Sequence, residues 1–284
     1  MLQKERTAMH YIDYYKDSQL FYHHNKDIPP FSHEFGMHTH EIYEIYYLIS
    51  GDGVISIEGT TYPLQADSIY IIRSNEAHYT KLSNKEPYER IILHFYPDTI
   101  TMLDPKKELL LPFENRSLGQ HNFYPLDSLQ KTIIKNSFHN ISMQEKENDY
   151  SKRLSVIVSL LTILTEIHTL YCTSEHQAPI PSTHPIVSNV LAYINEHLFD
   201  SITTEDLCKR FYISRTHLSN LFKSYTSTSI GNYILIKRLV ASKAMLQSGH
   251  SAKEIASLCG YQDYSAFYRA YKKHFGSSPK NDVK

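Results

Sequence analysis

The chain has 284 residues, 41% of them hydrophobic, and a formal net charge of -1, which supplies apolar material for two buried cores, excludes a disordered chain and fits two or three domains. The average charge hides a division: residues 185–284 carry 13 Lys and Arg against 7 Asp and Glu, whereas residues 1–184 carry 16 against 23. Positive charge is gathered in the last third, where it steers toward phosphate. At the start, MLQKERTAMHYIDYY has no apolar stretch that could serve as a secretory signal.

Residues 31–96 read as short strands separated by Gly and Asn turns, with Ile42–Ile49, Val54–Ile57, Ser68–Ile72 and Glu89–Phe95 as the main runs. Their alternation and β-branched and Tyr content predict a small antiparallel barrel or sandwich. Within it, His38 and His40 project from one face of a strand because side chains alternate with period two, Glu44 shares their parity, and His78 can reach them from a neighbouring strand. Imidazoles and a carboxylate around one barrel interior suit Zn, Ni, Mn or Fe. They equally suit an organic or sugar effector, with Tyr46 among Tyr43, Tyr47 and Tyr79 to stack on it and Arg73 to meet a carboxylate or phosphate. A purely structural role is the third reading of the same residues.

Helical sequence follows at residues 127–140 and 149–171, the second apolar on more than one face and in need of a partner, either the barrel or a second subunit. Its most apolar part, Leu154–Ile167, reads as too short and too polar to span a bilayer. Ser174–His184, rich in proline, resists both helix and sheet and reads as a linker. Cys172, Cys208 and Cys259 form neither a disulfide framework nor a four-cysteine metal pattern, so they are expected as small buried hydrophobes in a reducing compartment. A cytoplasmic protein with no membrane association follows as the expectation.

Beyond the linker, Val187, Val190, Leu191, Ile194 and Leu198 keep the spacing of an amphipathic helix. Thr203 and Asp206 form an N-terminal capping pair, and the helix they open carries Leu207, Cys208 and Phe211. A turn at Tyr212–Ile213 leads to Ser214 as the next cap, with Leu218, Leu221 and Phe222 inward and Arg215, Thr216, His217 and Asn220 outward. The same order recurs: Ser251 with Glu254 as a capping box, Ile255, Ala256 and Leu258 inward, Gly260 in the turn, Asp263 as a cap, and Phe267 and Tyr271 buried. Its outward set is Gln262, Tyr264, Ser265, Ala266, Tyr268 and Arg269, with Lys272 and Lys273 one turn on. Arg269, Lys272 and Lys273 suit phosphates, while Gln262 and Ser265 are placed for bases. One helix, Asn232–Gln247, joins the copies, so two helix-turn-helix units face successive major grooves, which repeat every ~34 Å along one face of the duplex.

Residues 186–280 resemble the DNA-binding domain of the AraC/XylS family of bacterial transcription regulators. The resemblance is carried by SRTHLSNLFK at Ser214–Lys223, YILIKRLVASKAML at Tyr233–Leu246, IASLCGYQD at Ile255–Asp263 and FYRAYKKHFGSSP at Phe267–Pro279. It implies base and backbone contacts from Arg215, Thr216, His217 and Asn220, and from Gln262, Tyr264, Ser265 and Arg269. Three positions depart from the common pattern: Ser227 where glycine is usual, Ala266 where an aromatic is frequent, and Asp282–Val283 where Tyr-Arg commonly closes the motif. The front half is similar to that family's cupin-like sensor. HTHEIYEIYYLISG at His38–Gly51 matches the first metal motif of catalytic cupins, whereas the second motif has Arg73 and Asn75 in place of its glycine and proline.

The expected fold is α+β: a cupin-like ligand-sensing barrel at 1–126, a helical connector and dimerisation region at 127–173, a linker at 174–185 and an all-α tandem helix-turn-helix domain at 186–284. The expected function is an effector-responsive transcription activator of carbohydrate or small-metabolite genes, without catalysis and without a required cofactor. Its partners would be promoter DNA, a small molecule such as a sugar, a second copy and RNA polymerase. The competing reading is a metal-dependent cupin enzyme fused to a DNA-binding domain, resting on His38, His40, Glu44 and His78.

Overall fold

The computed structural model describes residues 11–29, 35–83, 85–143, 150–173 and 184–282. Among the described residues ten strands build two antiparallel sheets. The larger is ordered β1 (Tyr11–Lys16), β2 (Leu20–Asp27), β9 (Tyr88–Phe95), β4 (Tyr43–Ser50), β7 (Ser68–Ile72) and β10 (Phe123–Pro125). The smaller is ordered β3 (Phe35–His38), β8 (His78–Leu82), β5 (Gly53–Ile57) and β6 (Thr60–Pro63). The barrel therefore begins earlier than residue 31. In β1 and β2 the repeated Tyr and His, residues that serve either face, hide the alternation that marked the later strands.

Alternation sorts each strand of the larger sheet into two cores. Tyr22, Tyr43, Ile45, Tyr47, Ile69, Ile71, Leu93 and Phe95 face a helical layer, while Tyr46, Leu48, Tyr70, Ile72 and Tyr88 face the smaller sheet and meet Ile55, Ile57 and Tyr62 there. The helical layer comprises α3 (Ser128–Ser142) and α4 (Tyr150–Thr173), after the short helices α1 (Asp98–Thr101) and α2 (Leu111–Glu114). Asp127 and Gln130 close a capping box on α3. At 24 residues, α4 is longer than its apolar segment implied, and with a mean hydropathy of 1.6 over its most apolar 18 residues it has the length and composition to cross a membrane. Val156, Leu160, Ile163, Leu164 and Ile167 nevertheless spend its apolar stripe on the barrel, where all five are fully buried. Leu154 and Val158 face outward and are exposed.

The remaining described residues are helical. α5 (Pro185–Glu196) buries Val187, Val190, Leu191 and Ile194. It packs with α6 (Thr204–Phe211) and α7 (Arg215–Thr226) around Leu207, Leu218 and Phe222. α8 (Ile230–Gln247) leads to α9 (Ala252–Leu258) and α10 (Tyr264–Phe275), which close a second core on Ile255, Phe267 and Tyr271. The expected caps form: Thr203 with Asp206 and Ser251 with Glu254 as capping boxes, and Ser214 and Asp263 as single caps. Leu258, expected inward, is 44% exposed; α9 ends there and the next residue, Cys259, fills the core instead. Of the three cysteines Cys259 is buried, Cys208 half-buried and Cys172 exposed on the last turn of α4, so the expectation of three buried thiols is corrected for Cys172. The proline-rich 174–183 lies outside the described residues, and His184 caps α5.

Ser227 ends α7 in the left-handed conformation, with φ 56°. A side chain there costs about 1 kcal/mol, which glycine avoids. Ser227→Gly is therefore expected to raise the unfolding free energy by about 0.5–1 kcal/mol. Thr203→Ala, losing the α6 cap, should lower it by about 1 kcal/mol. Chemical denaturation of the two variants beside the wild type reads both signs.

Candidate functional site

Two sites emerge, one inside the barrel and one on the helical domain. In the barrel, β4 turns Glu44 inward, and its antiparallel neighbour β9 places His94 directly opposite on the same face. In the smaller sheet β3 and β8 set His38 opposite His78, with His78 in turn opposite inward-facing Ile57. His40, just before β4, completes the group. Glu44 Oε2 accepts hydrogen bonds from His40 Nε2 and His94 Nε2, both at 2.9 Å, and lies 3.7 Å from His78 Nε2. His38 and His78 have ring centroids 4.1 Å apart.

Three of these rings share one orientation device. Nδ1 of His38, His40 and His78 donates to the carbonyls of Gly36, Ile42 and Glu76 at 2.9, 2.8 and 2.9 Å. A proton on Nδ1 turns Nε2 toward the interior, the arrangement found when a metal-ligating histidine is oriented by a second partner; on His40 that Nε2 is hydrogen-bonded to Glu44, and a metal would take the place of the shared proton. Among the described residues His78 Nε2 is buried without a hydrogen-bond partner. Ligand atoms of His40, Glu44 and His94 lie within 4.8 Å of one another. Nitrogen and carboxylate donors in this number fit a divalent transition metal, with His78 as the next ligand by position. Sequence parity had placed His38 and His40 on one face of a single strand with Glu44; instead His38 ends β3 in the smaller sheet, His40 lies in the turn and Glu44 is on β4 of the larger, so it is the turn between the sheets that brings them together. His94 was missed because only the β4–β9 register puts it beside Glu44.

Burial and hydrogen bonding set the charges. Burial raises the Glu44 pKa, yet the hydrogen bonds from His40 and His94 outweigh it and hold the carboxyl well below its usual range. His78 is pushed well below the usual imidazole range, first by burial and then by the neighbouring His38. Behind this group His23, facing His94 with ring centroids 5.9 Å apart, is lowered to about 3, chiefly by burial.

Next to the histidines, Tyr46 hydrogen-bonds Tyr88 and Arg90 stacks on the Tyr88 ring at 4.2 Å and pairs with Asp27. Tyr46 thus lines the interior as expected. Tyr43 and Tyr47 face the helical layer, donating to Glu114 and Asp67 at 2.8 and 2.6 Å. Tyr79 pairs with Ser56 on the outer side of the smaller sheet. Arg73, expected to meet a ligand's anionic group, turns away: its guanidinium donates to the Glu114 carbonyl at 3.0 Å. It sits beyond the end of β7, where strand parity no longer governs its direction.

On the helical domain, Arg215, Thr216, His217 and Asn220 are all exposed on one side of α7 while Leu218 and Phe222 hold the other side in the core. Arg215 reaches Glu205 at 2.7 Å in a solvent-exposed pair that costs little to break. On the second unit Gln262, Ser265, Arg269, Lys272 and Lys273 are exposed, and Tyr264 is half-buried against Phe267 and Tyr268. Gly260 turns the chain between α9 and α10 at φ 81°, and a Cβ there would stand 2.8 Å from the Arg238 guanidinium. Asp282, one of the departures from the common motif, accepts from the Tyr271 hydroxyl at 2.8 Å and so ties the chain end to α10.

The family of helix-turn-helix domains matches residues 207–284, and the AraC-like ligand binding domain family matches residues 31–109. The Msm operon regulatory protein of Streptococcus mutans is 25% identical over 248 residues, covering 87% of this chain and 86% of that protein. The HTH-type transcriptional activator RhaS of Escherichia coli is 21% identical over 279 residues, covering 97% of this chain and 96% of its own. Among solved structures, an apo ToxT of Vibrio cholerae aligns over 94% of this chain and 97% of its own length at 13% identity, with a TM-score of 0.41.

The depressed histidines give a signed pH dependence. His23 at about 3 and His274 at about 4, both chiefly through burial, sit below the 6.5 of an unfolded imidazole. The unfolded chain therefore takes up these protons first as the pH falls, so stability is full above pH 6.5 and drains on acidification toward pH 4. Glu44, also lowered, adds to the loss below the usual carboxyl range. His23 alone should cost about 2 kcal/mol between pH 7 and 5. His23→Gln is expected to flatten that part of a stability profile measured by denaturant titration, and an unchanged slope would refute the assignment.

Proposed function

The chain belongs to the AraC/XylS family of bacterial transcription regulators, and from that premise we propose that it is an effector-responsive activator of carbohydrate or small-metabolite genes, acting in the cytoplasm as a homodimer. It is a DNA-binding regulator. The observation that carries the reading is the conjunction of two capped helix-turn-helix units bridged by one helix with a buried polar cluster inside the barrel in front of them. Effector binding in the barrel would shift the balance between dispositions of the helical domain, as differential affinity for two states requires.

The activator sign is supported by RhaS, itself named a transcriptional activator, and would involve contact with RNA polymerase. The exposed Leu154 and Val158, on the side of α4 turned away from the barrel, support pairing with a second copy. The effector pocket is formed by His38, His40, Glu44, Tyr46 and His78, extended by His94. Imidazoles, a carboxylate and phenols offer several polar partners to a hydroxylated small molecule. The same donors favour a second component: a divalent transition metal held by His40, Glu44 and His94 would supply a Lewis acid for an oxygen of the effector. The chain itself carries out no reaction. Elemental analysis together with turnover assays separates this from the metal-dependent enzyme reading, which needs both a bound metal and a product.

Footprinting on promoter DNA should show protection over roughly two helical turns per subunit. Arg215→Ala and His217→Ala are expected to weaken binding and relax preference at the bases they face, by about 1–3 kcal/mol each. Lys272→Ala and Lys273→Ala should weaken binding evenly across sequences and each reduce the salt slope by about one. Wild-type protein without any protected site would remove the DNA-reading assignment of these residues.

A further inference from the structure

The helical domain is clamped to the barrel through a buried ionic node that none of the DNA-facing residues enters. Glu58, in the turn between β5 and β6, and Lys237, at the middle of α8, have side chains only 1% exposed each and meet at 2.8 Å. The carboxylate is saturated: Oε1 also accepts from the Ala77 amide at 2.7 Å, and Oε2 accepts from the Tyr233 hydroxyl and from Asn195 Nδ2 at 3.2 Å. Lys237 donates in addition to the Asn75 carbonyl. Contact around the node is close, since a Cβ on Gly59 would stand 2.5 Å from Leu191, and the Ser56 hydroxyl donates to the Tyr225 carbonyl at 2.9 Å.

The second unit is gripped separately. Lys243 meets Glu41 at 2.5 Å, and the His274 ring on α10 hydrogen-bonds to the Thr39 backbone. Thr39 and Glu41 flank His40, and Asn75 and Ala77 precede His78, so the grip and the polar cluster use the same two segments. Meanwhile Arg215, Thr216, His217 and Asn220, with Gln262, Ser265, Arg269, Lys272 and Lys273, stay exposed.

We propose that the Glu58–Lys237 pair is a releasable latch by which the barrel braces the two reading units in the mutual orientation that engages DNA. An ion pair at a domain seam recovers its hydration when the seam opens, so release is feasible; closed, its full set of hydrogen bonds selects one orientation. Bracing pre-organises two tethered readers, and the second then binds at high effective concentration. An effector that shifts residues 39–41 or 75–78 would move the brace, a consequence that rests on the pocket assigned above.

The test compares full-length wild type, Lys237→Met and Glu58→Gln by small-angle scattering and by binding to two duplexes. One duplex is selected from random sequence by the wild type; in the other, the half contacted by the second unit is scrambled. Both variants should show a larger radius of gyration and an affinity for the intact duplex lower by about five- to tenfold, with affinity for the scrambled duplex within about twofold of wild type. Unchanged scattering overturns the latch. Unchanged or tighter binding to the intact duplex, or an equal loss on both duplexes, overturns the bracing role. Should either variant fail to fold by circular dichroism, Lys243→Gln, at the less buried grip, is expected to reproduce the selective loss at smaller size, and its absence also overturns the proposal. If the wild type selects no duplex, the DNA-reading assignment fails while scattering still decides the latch.

Discussion

A β-strand has two faces, and in β4 and β7 at the middle of the larger sheet neither is left to water. Along β4 every residue from Tyr43 to Leu48 is buried, with Tyr43, Ile45 and Tyr47 against α3 and α4 and Glu44, Tyr46 and Leu48 toward the smaller sheet. The smaller sheet is likewise used on both sides: Ile55, Ile57 and His78 point in, while Ser56 meets the helical domain. The consequence is a stack of layers: connector helices, large sheet, small sheet and helical domain. The histidine cluster and the tandem reader are thereby placed back to back across a single layer of strand, a separation of one residue in parity.

Three buried carboxylates show how this stacking assigns tasks. Glu44 is met by histidines and stays ionised between the two sheets. Glu76 takes a two-pronged hydrogen bond from Arg116 at 2.6 and 2.7 Å and another from the Gly119 amide at 2.9 Å, so the loop leading into His78 is held by charge and not by apolar packing. Glu58 finds its cation in the other domain. A carboxylate buried without such partners would be strongly destabilising, so each of these positions constrains several others.

The positive charge of the last hundred residues is not all available to DNA. Lys237 and Lys243 are spent on the barrel, and Arg238 donates to the carbonyls of Leu198 and Asp200 within its own domain. What remains outward is unequal between the units. α7 presents Arg215, Thr216, His217 and Asn220 on a clean exposed face, whereas in α10 Tyr264 and Tyr268 lean on the core and each other, leaving cations to dominate the exposed set. That asymmetry fits a first unit that chooses sequence and a second that anchors phosphate.

Local chemistry was readable from the chain alone. Capping residues, the apolar spacing of the helices, the turn at Gly260 and the left-handed burden on Ser227 all depend on neighbours within a few positions, and they lie as expected. What needed the fold was everything set by register or by docking. His94 joins Glu44 only because β9 pairs with β4 in one register, Arg73 swings toward Glu114 once its strand has ended, and Cys259 displaces Leu258 from the core because α9 stops one residue short of it. Lys237 read as one cation among apolar residues on a connecting helix. Its partner lies 179 residues away in sequence, and no periodicity carries information across such a distance; only the closure of one domain on the other brings the two charges together.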